Sequence, residues 1–121
     1  MRLEKLNTAA SLLAKFIMTF IFAAMAFRFI DANNWGWIFS ISLAATVINY
    51  LVGDLMVLPA LGNVIASIGN GLMGAGLAFV FGVFAERFAV SFAGLGGFAL
   101  LVAIGEYFFH RYLRSSDKVA P

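Results

Sequence analysis

The sequence predicts an all-α, polytopic membrane protein, a single bundle of four transmembrane helices joined by short loops. Three observations carry this reading. Hydrophobic residues fill 63% of the 121 positions, and the mean hydropathy is +0.97. Charged residues make up 12%, against roughly 25% in an ordinary soluble domain. Those charges are spaced so that four apolar stretches of about 20 residues remain, each long enough to cross a hydrocarbon core roughly 30 Å thick. Eight Lys/Arg and six Asp/Glu cannot clothe a soluble globule of this size. Disorder is excluded too, since it requires low hydrophobicity. One domain, residues 1–121, is the ceiling at this length. With no cysteine there is no disulfide and no thiolate nucleophile or ligand. The net charge of +2, confined to the chain ends, does not suggest nucleic acid.

The first helix is expected over about residues 9–29, with Lys15 the only charge before Arg28. Ala24-Met25-Ala26 has the small-x-small form of a signal-peptide cleavage site. Lys15, however, interrupts the apolar core that such a peptide needs, and the segment is long enough to span. Asp31-Ala-Asn-Asn reads as a turn, because Asp and Asn bond locally to the backbone and tolerate left-handed geometry. Trp35 and Trp37 open the second helix, about 35–58, and suit a headgroup belt as interface anchors. Pro59–Gly62 is expected as a connection, because Pro59 cannot continue the helix cleanly. The third helix is placed at about 63–85, and Glu86-Arg87 marks the next turn. The fourth is placed at about 89–112, followed by a polar, frayed tail from 113 to 121.

Four spans put both termini and the Pro59 loop on one side. That side carries Arg2, Lys5, Arg111, Arg114 and Lys118, and the other only Arg28 and Arg87, so both termini are expected in the cytoplasm and the protein in the cell membrane.

Small and polar residues carry the remaining information, since every apolar side chain here is compatible with lipid. The third helix repeats small residues every fourth place, with Ala66, Asn70, Gly74, Ala78 and Gly82 in one row and Ser67, Gly71 and Ala75 in a second. The fourth has Ala89, Ala93, Gly97 and, after Leu101, Gly105. Such rows let helix backbones approach closely in lipid, and they serve either the packing of one bundle or an interface between copies. Gly71, Gly74, Ala78, Gly82, Gly97 and Gly105 are therefore expected at helix–helix contacts.

Polar residues also fall on stripes. Thr8, Ser11, Lys15 and Thr19 share a face of the first helix, and Ser42, Thr46, Asn49 and Gly53 share one on the second. Asn63, Ser67 and Asn70 mark the third, and Glu106 and His110 lie four apart near the end of the fourth. At about 1.5 Å per residue, Lys15 lies roughly 9 Å into its helix, Asn70 about 10 Å into its own, Asp54 about 6–8 Å before Pro59 and Glu106 about 9 Å before its helix ends. The four share a depth on the terminal side. One shared layer is cheaper than scattered burial of ions in lipid, so Lys15, Asn49, Asp54, Asn63, Asn70, Glu106 and His110 are expected in one buried polar layer, with Lys15 paired to Asp54. Two points stay open. On an ideal helix Asp54 points about 110° away from the Asn49 stripe, so either Gly53 and Pro59 loosen the turn or Asp54 faces a different neighbour. One Lys facing two carboxylates also leaves an excess negative charge, answered by a protonated carboxyl, by His110 or by a cation.

The run Asn49-Tyr-Leu-Val-Gly-Asp-Leu-Met-Val-Leu-Pro-Ala-Leu-Gly-Asn63, followed by Ala66-Ser67-Ile68, resembles the signature of the YndM-like family. Its members are small, uncharacterised four-helix membrane proteins of spore-forming Gram-positive bacteria. Tyr50, Leu51, Gly53, Asp54, Leu55, Leu58, Pro59, Gly62 and Asn63 match, and Lys15-Phe16-Ile17-Met18-Thr19 is similar to the family's first helix. The pattern departs at Asn70, where the family has Asp. The resemblance implies the four-helix topology and the Lys15/Asp54/Asn63 layer, and it implies no activity.

Catalysis is not expected. There is one His, no thiol, no phosphate loop, no nucleophile elbow and no zinc-protease pattern. Glu106 and His110 supply two metal ligands where sites need three or more; Asp54 could add a third from another helix, but a helix-end Glu–His contact is the favoured reading, so no metal and no cofactor are expected. The leading expectation is a structural or accessory subunit that packs through its Gly/Ala-rich faces against a larger membrane complex or a second copy. The alternative is a small homo-oligomeric transporter or an ion- or proton-conducting protein that uses the buried Lys/Asp/Glu layer.

Overall fold

The computed structural model describes residues 2–115, with side-chain surroundings for residues 8–111. The chain is all-helical over this range and forms four helices long and apolar enough to cross a bilayer: Thr8–Arg28, Trp35–Leu61, Asn63–Phe84 and Phe92–Arg111. Their outward faces present side chains such as Leu13, Ile17, Phe39, Leu43, Leu72, Phe79, Leu100 and Phe108. In hydrocarbon a helix satisfies its own backbone polar groups, which is why sequences this apolar adopt it.

The first helix begins at Arg2, earlier than expected, and runs as α-helix to Ala23. A five-residue π-helical turn, Ala24–Arg28, then widens it, and the Phe29 N–H bonds the Ala24 carbonyl at 3.0 Å. The following turn holds Ala32 at a positive φ of 61°. Asn34 caps the second helix by accepting from the Trp37 N–H at 3.1 Å. That helix runs Trp35–Ile48, switches to nine π-helical residues, Asn49–Val57, and returns to α for Leu58–Leu61. Pro59 does not end it: the π-helical stretch leads through Pro59 into a last α-helical turn, Leu58–Leu61. The break falls at Gly62, whose φ of 89° is a conformation that suits only glycine. The third helix is Asn63–Phe84 and the fourth Phe92–Ser115. The fourth starts three residues later than its apolar run because Ser91 caps it, its Oγ accepting from the Gly94 N–H at 3.0 Å. It also continues through 113–115, placed in the tail by sequence; residues 116–121 lie outside the described range.

The bundle core has two halves. Toward the 29–34 and 85–91 turns it is aromatic: Phe27 packs on Phe98 (centroids 4.9 Å apart) and Phe88 (5.5 Å), and Trp37 on Phe88 (5.7 Å) and Phe81 (6.4 Å). Trp37 is thus turned into the bundle, whereas Trp35 is half-exposed, stacked on Phe20 with the Arg28 guanidinium over its ring. Of the two expected anchors only Trp35 keeps an outward face. The turns are locked together by Asn33, which donates to the Phe27 and Ala89 carbonyls and accepts from the Ala89 N–H, and by Asp31, which accepts from the Ser91 N–H and hydroxyl.

The small residues of the third helix are used inside the bundle. A methyl group on Gly71 would strike the Ala99 carbonyl, one on Gly74 would stand 3.0 Å from the Phe98 ring, and one on Gly82 would stand 2.8 Å from Val90. Ala78 is fully buried, and Gly105 lies against Phe22 and Met18 of the first helix. Gly97 departs from expectation: a Cβ there would meet nothing within 4 Å. The inward row of the fourth helix is instead Gly94, Phe98, Val102, Glu106 and His110. Gly71→Leu is therefore expected to cost about 1–3 kcal/mol or more by overpacking, while Gly97→Leu changes stability by about 0.5 kcal/mol or less. Thermal unfolding of the two variants in detergent checks this; equal losses would contradict the assignment of faces.

Candidate functional site

The second half of the core, toward the helix ends at Arg2, Leu61, Asn63 and Ser115, is polar. Every helix contributes to it. Lys15 comes from the first helix, Asp54 from the π-helical stretch of the second, Asn63, Ser67 and Asn70 from the third, and Glu106 and His110 from the fourth. Lys15, Asp54, Asn70, Glu106 and His110 are each at most 1% exposed.

The π-helical winding is what brings Asp54 in. With i→i+5 hydrogen bonds each residue advances through a smaller angle than in an α-helix, so a side chain five positions on stays close to the same face. Asn49, Gly53 and Asp54 consequently share the buried side of the second helix. Gly53 is required there, because the Asn70 side chain lies directly on its Cα and a Cβ would overlap it.

The charges form one connected network. Lys15 Nζ donates to Asp54 Oδ2 at 2.6 Å and to Glu106 Oε2 at 2.9 Å. His110 Nε2 stands 2.7 Å from Asp54 Oδ1 and 3.0 Å from Glu106 Oε2. Asn70 Nδ2 donates to Glu106 Oε2 at 3.0 Å. On the other side of the imidazole, Nδ1 is 2.9 Å from Asn63 Oδ1. The orientation of Asn63 is set by its amide, which donates to the Tyr107 carbonyl at 2.9 Å, and Ser67 Oγ donates to its oxygen at 3.0 Å.

Both ring nitrogens of His110 therefore face oxygen acceptors, which calls for a proton on each. An imidazolium there would answer the excess negative charge: Lys15 and His110 would stand against Asp54 and Glu106, two against two. Burying ions this deep costs several kcal/mol each unless they are paired and hydrogen-bonded. Here each charge has at least two partners.

Asn49 stands apart. It is fully buried, yet neither of its side-chain polar atoms has a hydrogen-bond partner. The same is true of Thr19 Oγ1, one turn from Lys15, and of Asn70 Oδ1 and Glu106 Oε1. Ser67 belongs with the site, through Asn63 and His110, although a hydroxyl that can bond its own backbone gives little signal in sequence. Asp54, Glu106 and His110 also each offer a ligand atom within 4.8 Å of the others, a three-residue set able to hold a metal ion.

Four membrane-length helices around a buried, charge-balanced polar centre place the molecule among the polytopic α-helical membrane proteins. The chain belongs to the family described as "Protein of unknown function (DUF2512)", whose model matches residues 7–119. No curated protein and no solved structure matches it.

Proposed function

We propose that the protein handles cations within the bilayer, taking them up at the Lys15/Asp54/Glu106/His110 centre. The observation that supports this most is the pairing of two buried carboxylates with two cationic groups inside membrane-length helices. A bundle held together for stability alone does better with apolar packing at such positions, and intramembrane ionisable residues usually mark ion pathways. The unpartnered Thr19 and Asn49 extend the polar surface from the centre toward the middle of the bundle, where the aromatic half closes it. In this reading the centre binds and passes ions and makes or breaks no covalent bond.

The test is flux. Protein reconstituted in liposomes that enclose a pH-sensitive dye and a divalent-ion dye should admit protons or divalent cations faster than protein-free vesicles under an imposed gradient. Rates no faster than those of protein-free vesicles, for protons and for divalent cations alike, would overturn the reading.

A second reading, a subunit that packs against a larger complex or a second copy, is favoured by Gly96 and Gly97. Both sit where a Cβ would meet open space, on the span with the least burial inside the bundle. The YndM-like signature is compatible with either reading. In both, the termini and Gly62 lie on the cytoplasmic side of the cell membrane, by the asymmetry of Lys and Arg. Reporters fused after residue 33 and residue 121 are then expected on opposite sides; finding both on one side removes the four-span topology.

A further inference from the structure

We propose that Asp54, Glu106 and His110, completed by the side-chain oxygen of Asn70, bind a divalent first-row transition-metal ion. This rests on the cation-handling reading and names the class of ion. The ligand atoms are already gathered: Asp54 Oδ1 and Glu106 Oε2 lie 2.7 and 3.0 Å from His110 Nε2. Ligands about 2.0–2.1 Å from a tetrahedral ion sit about 3.3 Å apart, so the set opens by only a few tenths of an ångström to admit one.

Independent support comes from the acceptors left over. Glu106 Oε1 and Asn70 Oδ1 are buried oxygens with no donor among the described residues. As placed, the Asn70 amide donates to Glu106 Oε2 at 3.0 Å and leaves its oxygen unpaired against Gly53. Turned over, its oxygen takes the nitrogen's place among the ligand atoms, 3.0 Å from Glu106 Oε2 and 3.4 Å from His110 Nε2, where a cation between them binds it. An ion held by Asp54 Oδ1, Glu106 Oε2 and His110 Nε2 gives the turned Asn70 oxygen a partner.

A divalent ion takes the place of the proton on His110 Nε2, which is released to solvent, and brings positive charge to the two carboxylates without any redox change. One imidazole with oxygen ligands and no thiolate suits Zn²⁺ and its neighbours better than Ca²⁺ or Mg²⁺, which take oxygen shells of six or more.

Untagged full-length protein in detergent, titrated calorimetrically with Zn²⁺, is expected to bind about one ion per chain, and excess Ca²⁺ should not displace it. His110→Gln should weaken binding at least tenfold. X-ray absorption on the wild-type complex keeps the test independent of how variants fold: it should show a single imidazole among oxygen ligands. No saturable binding, or a shell without imidazole, overturns the proposal. If such a protein still admits protons in the liposome assay, the metal is wrong and cation handling stands; if flux is absent as well, both fall.

Discussion

Replacing Lys15 with Met is expected to destabilise the bundle by about 3–5 kcal/mol, the loss that follows when one member of a buried ion pair is removed and the other is stranded. Asp54→Leu should cost a similar amount. The reason is geometric. Lys15 Nζ is the donor common to Asp54 Oδ2 and Glu106 Oε2, and all three side chains are at most 1% exposed. Water cannot take over the role of the missing partner. The double substitution should cost less than the two single losses added together, because neither charge is then left unpaired. A thermal-unfolding cycle in detergent measures this. Additive losses would mean that the two residues act independently and that Lys15 reaches the headgroups instead.

Gly53→Ala is expected to produce the second large effect, from the smallest change in the chain. The added methyl overlaps the Asn70 amide, which is held in place by its bond to Glu106 Oε2. Either the second helix moves away or Asn70 turns out of the centre. Overpacking costs about 1–3 kcal/mol, and a lost hydrogen bond to a charged group adds about 1.5–3 kcal/mol. Asn70→Ala in the same chain should recover the overpacking part. If Gly53→Ala is as stable as the parent protein, the contact between the second and third helices is not as close as described here.

Much of the polar layer was legible because helices in a bilayer are rods of fixed rise. Counting residues from the helix ends put Lys15, Asp54, Asn70 and Glu106 at one depth, and the network joins all four. Rotation about the helix axis was harder to read. The inward turn of Asp54 depends on a switch from i→i+4 to i→i+5 bonding at Asn49–Val57, and hydrophobic periodicity is silent where all outward positions are apolar. Gly53 and Pro59 were the available hints. The row on the fourth helix departed at Gly97 for a related reason. Glycine is equally at home against a helix or against lipid, so Gly97 looked like a contact and makes none within the bundle, whereas Gly105 of the same row does. Counting back in fours from Glu106 finds the buried Val102, Phe98 and Gly94, because a carboxylate in a span must face inward. Trp37 was assigned by residue type alone, and its turn into the aromatic half depends on Phe81 and Phe88 from distant parts of the chain.

The central claim is that four buried charges form one neutral centre with His110 as the second cation. His110 is the only histidine in the chain, so selective ¹⁵N-histidine labelling reports on it without ambiguity. Solid-state NMR of the protein in lipid bilayers at neutral pH, without added metal, should show both ring nitrogens protonated. Nε2–H would be hydrogen-bonded to carboxylate and Nδ1–H to an amide oxygen. A spectrum with one protonated and one bare ring nitrogen would contradict the account, because two carboxylates would then face Lys15 alone.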